Sequence, residues 1–134
     1  MARYVIDAPT LLHLVDTGVL VDPRHRLVAP NSIRSEALDL LLHEVSAGKR
    51  TEAAAMEAHE RMTETKMRLL GDRVSRRTAW RIARQHGWDT LRDAEYIAVA
   101  QLQADALVTV DARLAAMARG TVTVAAVDDL LASE

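Results

Sequence analysis

The sequence has no cysteine and no phenylalanine among its 134 residues, and aromatic residues make up only 3% of it. The lack of cysteine excludes disulfides and thiolate metal sites, and it is compatible with a reducing compartment. Few aromatic rings combined with abundant alanine and leucine favour many helices packed closely on a short sheet. No apolar run approaches the roughly 18 to 20 residues that a membrane span requires, and the N-terminus lacks the basic-then-apolar layout of a secretion signal. There is no internal repeat and no low-complexity linker. The expectation is one soluble, cytoplasmic domain over residues 1–134, long enough to bury a core without staples.

A formal net charge of −2 does not announce a nucleic-acid binder. That mean hides segregation: between Lys66 and His86 stand Lys66, Arg68, Arg73, Arg76, Arg77, Arg81 and Arg84 against the single acid Asp72. A local basic face of this kind can meet phosphates even on an acidic protein.

The run Leu107-Val108-Thr109-Val110 ends on Asp111 and passes into the helical pattern 112–118. The chain opens the same way, with Tyr4-Val5-Ile6-Asp7 leading into a helix expected over 10–17 and stopped by Gly18. Between them the pattern predicts a strand at 25–28 and a helix from Ile33 to a stop at Gly48. An alanine-rich helix over 51–64, an edge strand at 66–70 and a helix over 73–86 come next. In that last helix Val74, Thr78, Ala79, Ile82 and Ala83 form the apolar arc, and five arginines with Trp80 form the other. A helix over 91–103, a strand at 121–124 and a helix over 128–133 complete the reading. Alternating strands and helices predict an α/β fold: a parallel sheet of four or five short strands flanked by helices in three layers.

Four acids stand where a strand or loop passes into a helix: Asp7, Glu36, Asp93 and Asp111. Each has an ordinary alternative. Asp7 and Asp111 suit N-caps, Glu36 suits a first turn, and Thr90-Leu91-Arg92-Asp93 fits a capping box. In a parallel α/β layer, however, every strand-to-helix passage lies at one edge, where such folds bind ligands. Carboxylates gathered there repel one another unless a cation neutralises them, and an all-oxygen set suits Mg²⁺ or Mn²⁺. Such a cation activates water for phosphoryl chemistry. The five histidines show no paired ligand spacing and are read as structural or surface residues.

Four stretches, Val5-Ile6-Asp7-Ala8, Ala29-Pro30-Asn31-Ser32-Ile33-Arg34-Ser35-Glu36, Arg92-Asp93-Ala94-Glu95-Tyr96-Ile97-Ala98-Val99-Ala100 and Leu107-Val108-Thr109-Val110-Asp111-Ala112-Arg113-Leu114, resemble in order the motifs of PIN domains. The likeness is to the VapC toxins of bacterial type II toxin–antitoxin pairs. It implies a Mg²⁺- or Mn²⁺-dependent endoribonuclease, a homodimer and an antitoxin that blocks the site. Carried over by position, the acidic quartet falls on Asp7, Glu36, Asp93 and Asp111, and Thr109 matches a hydroxyl kept near the site. Pro9 stands where the family has Ser or Thr, which leaves Thr10 as the nearest hydroxyl.

The expected function is therefore RNA cleavage, with the quartet as catalytic and metal-holding residues, Thr10 and Thr109 in support, and Arg73, Arg77, Arg81 and Arg84 along the RNA backbone. Trp80 would stack a base. The alternative is a binding module of the same fold with a degraded metal site. Glu95, two residues beyond Asp93 on a helix, is expected to point away from the site. Leu38, Leu41, Leu42 and Met56 exceed one core stripe, which is compatible with an oligomer contact.

Overall fold

Strands β1 (Arg3–Ile6), β2 (Arg26–Pro30), β3 (Arg68–Leu70), β4 (Ala106–Val108) and β5 (Val124–Ala125) form one sheet in the order β3-β2-β1-β4-β5, with every pairing parallel. The computed structural model describes residues 2–132. Its helices are α1 (Ala8–Thr17), α2 (Ile33–Ser46), α3 (Glu52–Glu64), α4 (Arg73–His86), α5 (Arg92–Gln103) and α6 (Ala112–Ala118). The chain runs outward from β1 through β2 to β3, then returns to β4 on the other side of β1. Right-handed crossovers place the helices of these two halves on opposite faces of a parallel sheet. Accordingly α1, α2 and α3 pack on one another, while α5 lies against β1, β2 and β4 and carries α4 on its back.

The buried strands are short apolar runs, as a sheet covered on both faces requires. Val5, Ile6, Val28, Leu107 and Val108 are essentially inaccessible. Helix α5 is enclosed from Tyr96 through Ala100, and its small residues Ala98 and Ala100 let it approach the strands closely. Truncating Ile97 there to alanine removes a fully buried side chain, a change that costs about 2–5 kcal/mol in comparable cores.

Several boundaries differ from the sequence reading. Strand β4 ends at Val108 instead of Val110. The backbone amides of Val110 and Asp111 instead bond the hydroxyls of Thr10 and Thr109, drawing that segment out of the sheet. The last strand is only Val124–Ala125, since Thr121 and Val122 still bond back to the Ala118 carbonyl at the end of α6. In place of a helix over 128–133 there is a 3₁₀ turn, Val127–Leu130, and Ser133 lies outside the described residues. On α4 it is Ser75, not Val74, that is buried; Val74 is 59% exposed. Leu41 belongs to the core, whereas Leu38, Leu42 and Met56 reach solvent.

Candidate active site

The order in which strands are added to the sheet reverses between β1 and β4, and Asp7 and Asp111 follow those two strands. Crevices at such a reversal, outside the carboxyl ends of the strands, are where open α/β sheets bind ligands. Asp7 caps α1, accepting from the Thr10 amide at 3.2 Å. Asp111 caps α6, accepting from the Arg113 amide at 2.9 Å and the Leu114 amide at 3.4 Å. Capping and facing the site are therefore the same placement for both acids.

Asp7 is the buried member, 3% exposed, and both of its oxygens are held. The Thr10 hydroxyl donates to Oδ1, and the Thr109 hydroxyl donates to Oδ2 at 2.7 Å. Each hydroxyl in turn accepts from a backbone amide of the β4–α6 passage: Thr10 from Val110 at 3.0 Å, Thr109 from Asp111 at 2.9 Å. Thr10 thus reaches the carboxylate although Pro9 precedes it, because one helical step brings its side chain back over the cap. Burial pushes the Asp7 carboxyl above its ordinary range, and the threonine hydrogen bonds oppose that rise in part.

The other three acids have cationic or hydroxyl partners. The Arg113 guanidinium donates to both oxygens of Asp93, at 2.8 and 3.4 Å, and stands 3.6 Å from Asp111 Oδ2. Glu36, on the first turn of α2, accepts from the Ser32 hydroxyl at 2.6 Å and the Tyr96 hydroxyl at 2.9 Å, with Arg92 at 3.4 Å. Tyr96 is raised well above its usual range, first by burial and then by the charge of Glu36. The Thr90–Asp93 capping box does not form: α5 starts at Arg92, Thr90 accepts only from the Arg92 amide, and Asp93 turns to Arg113.

Burial and then the negative charge of Glu36 raise the Glu95 carboxyl. Tyr96, Arg92 and Arg113 were not expected at the site. Their only signal in the sequence was proximity to the acids, at the starts of α5 and α6, where parallel topology collects side chains.

A hard cation suits this donor set, since every acidic ligand is oxygen and the Arg113 guanidinium already stands as a cation against Asp93 and Asp111. The spacing is another matter. Among the described residues no three Asp, Glu or His side chains are drawn together closely enough to hold a metal ion. Asp7, Asp93 and Asp111 are linked through threonine hydroxyls, backbone amides and Arg113 instead of meeting directly.

Arg73, Arg77, Arg81 and Arg84 lie exposed on α4, away from its buried arc, and Trp80 is 61% exposed between them. The helix's own cap, Asp72, accepts from the Ser75 amide at 2.8 Å.

Solved structures share the architecture. PAE2754 from Pyrobaculum aerophilum superposes with a TM-score of 0.71 at 24% identity, over 96% of this chain and 93% of that one. VapBC-1 from nontypeable Haemophilus influenzae gives 0.62 at 15% identity, over 92% and 97%. VapBC-5 from Mycobacterium tuberculosis, a member of the VapBC family of toxin–antitoxin systems, gives 0.58 at 22% identity, over 94% and 98%. No family profile matches the sequence, and no curated protein does. These likenesses concern the fold: a five-stranded parallel sheet flanked by six helices, the PIN-like architecture that the sequence resemblance implied.

Proposed function

We propose that the chain is a VapC-like endoribonuclease, the toxin of a type II toxin–antitoxin pair, that depends on Mg²⁺ or Mn²⁺. The observation that carries this reading is the buried carboxylate of Asp7 at the reversal of the sheet, pinned by Thr10 and Thr109 and flanked by Asp93 and Asp111 across Arg113. Asp7, Glu36, Asp93 and Asp111 are the catalytic and metal-holding residues. A divalent cation bound among them supplies Lewis acidity toward a phosphodiester.

The chain's own residues do the positioning. Thr10 and Thr109 fix both Asp7 oxygens, so the orientation of that carboxylate is set before any substrate arrives. Tyr96 and Ser32 do the same for Glu36, and the Tyr96 proton is held on its oxygen, leaving that hydroxyl a donor. Arg73, Arg77, Arg81 and Arg84 follow the RNA backbone along α4. The partners of this reading are RNA, a cognate antitoxin and a second copy of the chain, and its location is the cytoplasm. Among the described residues no helix is long and apolar enough to cross a membrane.

The test is incubation of the purified chain with structured RNA and Mg²⁺ or Mn²⁺, with and without excess EDTA. Cleavage that requires the cation is expected, and cleavage undiminished by chelator overturns the mechanism. A second reading, a PIN-fold binding module, draws on the clamp of Arg113 across Asp93. It is favoured if RNA is bound and neither cation produces cleavage.

A further inference from the structure

We propose that Arg113 is a built-in counter-ion of the acidic edge, seated where it neutralises Asp93 and Asp111, so that a divalent cation binds only by displacing it. The inference rests on the metal-dependent reading above and adds a residue that sets how much cation the site needs.

Three observations carry it. First, the open carboxylate oxygens of the site are the ones this guanidinium covers. Both Asp7 oxygens are already engaged by threonine hydroxyls, whereas Asp93 presents both of its oxygens to Arg113, at 2.8 and 3.4 Å. The second oxygen of Asp111 is 3.6 Å from the same group.

Second, the guanidinium is tethered at this place. The Arg113 backbone amide donates to Asp111 Oδ1, which fixes its Cα one turn from the acids, and Met117 Sδ lies 3.1 Å from Nη1 across the next turn of α6.

Third, it can leave. The side chain is 61% exposed, so rotation into solvent breaks ion pairs without opening the core. Arg92 is a weaker counterpart on the other side, with one contact at 3.4 Å to Glu36.

A planar two-pronged cation on two carboxylates satisfies them individually but keeps them apart, since it bonds outward along its edges. That accounts for an acidic edge in which the ligands are present yet no three of them meet among the described residues. A divalent ion must replace the guanidinium before the carboxylates can converge.

The experiment is calorimetric titration of MnCl₂ into the full chain and into Arg113→Gln and Arg113→Lys at low salt. Arg113→Gln is expected to bind Mn²⁺ roughly three- to tenfold more tightly than wild type, the scale of losing one or two partly exposed ion pairs. Arg113→Lys, which keeps the charge without the fork, falls between them. Melting without metal supplies a second readout: Arg113→Gln unfolds at a lower temperature than wild type, because Asp93 and Asp111 lose their counter-ion, and saturating Mn²⁺ closes the gap. Equal Mn²⁺ affinity in all three proteins overturns the role of Arg113 and leaves the metal site standing. An unchanged metal-free melting temperature in Arg113→Gln also counts against it. No Mn²⁺ binding by any of the three overturns both this inference and the metal-dependent reading.

Discussion

At the carboxyl ends of the strands Asp7, Glu36, Asp93 and Asp111 each accept from a named donor, and two arginines reach in to offset their charge. At the opposite ends β1, β2 and β3 each open on an arginine, Arg3, Arg26 and Arg68. There they border a groove of about 1550 Å³ together with Arg24, Arg34 and Lys66. Some of that charge is spent internally: Arg24 pairs with Asp22 at 2.8 Å and holds it down to about 2, and Arg34 donates to the Met62 and Thr65 carbonyls. Arg3, Arg26 and Arg68 make no ion pair among the described residues.

The contrast separates volume from chemistry. The basic edge offers the room, but the buried carboxylate that borders it, Asp22, is already committed to Arg24. The acidic edge offers Asp7, whose orientation is determined by hydrogen bonds on both oxygens and whose charge is disfavoured by burial, which is how reactive sites are built.

The largest effect that tests the contrast is on activity at the acidic edge. Asp7→Asn and Asp111→Asn are each expected to lower RNA cleavage by about two to three orders of magnitude, the usual scale for removing an electrostatic participant, while both variants remain folded. Asparagine caps a helix about as well as aspartate, so the loss does not come from α1 or α6. The pH dependence of stability separates the roles further. A carboxyl raised in the folded state stabilises fully below its unfolded pKa and loses that contribution as pH rises through the folded value. Asp7→Asn should therefore melt at or above the wild-type temperature at pH 7, with the difference shrinking as pH falls toward about 4. A variant that melts lower at pH 7 and stays active would make Asp7 a cap and nothing more.

How far this edge was legible from the sequence follows from what makes it. Three strand-to-helix passages in a parallel layer put Asp7, Glu36 and Asp111 on one side of the sheet, so their common placement needed only the alternation of elements; Asp93 follows helix α4 instead and opens α5, the helix that leads back into β4. The partner of each acid depended on side-chain reach across elements, which periodicity does not encode. Arg113 lies 20 residues from Asp93 in the chain, and Tyr96 lies 60 from Glu36. The β4 boundary was misplaced for the same reason: Thr109 and Val110 look like strand residues locally, and only Asp7 and Thr10 draw them out of the sheet. On α4 the helical period was right and Thr78, Ala79, Ile82 and Ala83 are buried as expected; the difference is confined to the first turn. The helix packs on α5 rather than on the sheet, which buries Ser75 and leaves Val74 in solvent.

A smaller effect sharpens the comparison by asking which basic surface serves RNA. On α4 the charges of Arg77 and Arg81 are presented on the exposed arc of the helix, and a phosphate contact there contributes about 0.7 to the log–log salt slope for single-stranded RNA. Arg77→Ala with Arg81→Ala, made in the non-cleaving Asp7→Asn background, should weaken RNA binding and flatten that slope by about 1.4. Filter binding across a range of salt concentrations measures it. An unchanged slope would return the α4 face to ordinary solvation and direct attention to the arginines at the other edge.

The smallest expected effect lies at that other edge and concerns stability alone. Arg3 and Arg26 are direct partners across the β1–β2 pairing, so two like charges stand side by side at the start of adjacent strands. Such pairs oppose folding unless something neutralises them. Asp105 makes a different bond: it accepts from the Arg3 backbone amide at 2.8 Å and forms no ion pair with its guanidinium. Arg26→Gln removes the repulsion and keeps a long polar side chain. It should raise the melting temperature by about 1–2 °C at low salt. In 1 M NaCl the screening length falls to about 3 Å, wild type should gain what the substitution gained, and the two proteins should melt together. If Arg26→Gln instead melts lower at low salt, Arg26 makes a stabilising contact that outweighs the repulsion. The basic edge would then be neutralised internally, as the acidic one is.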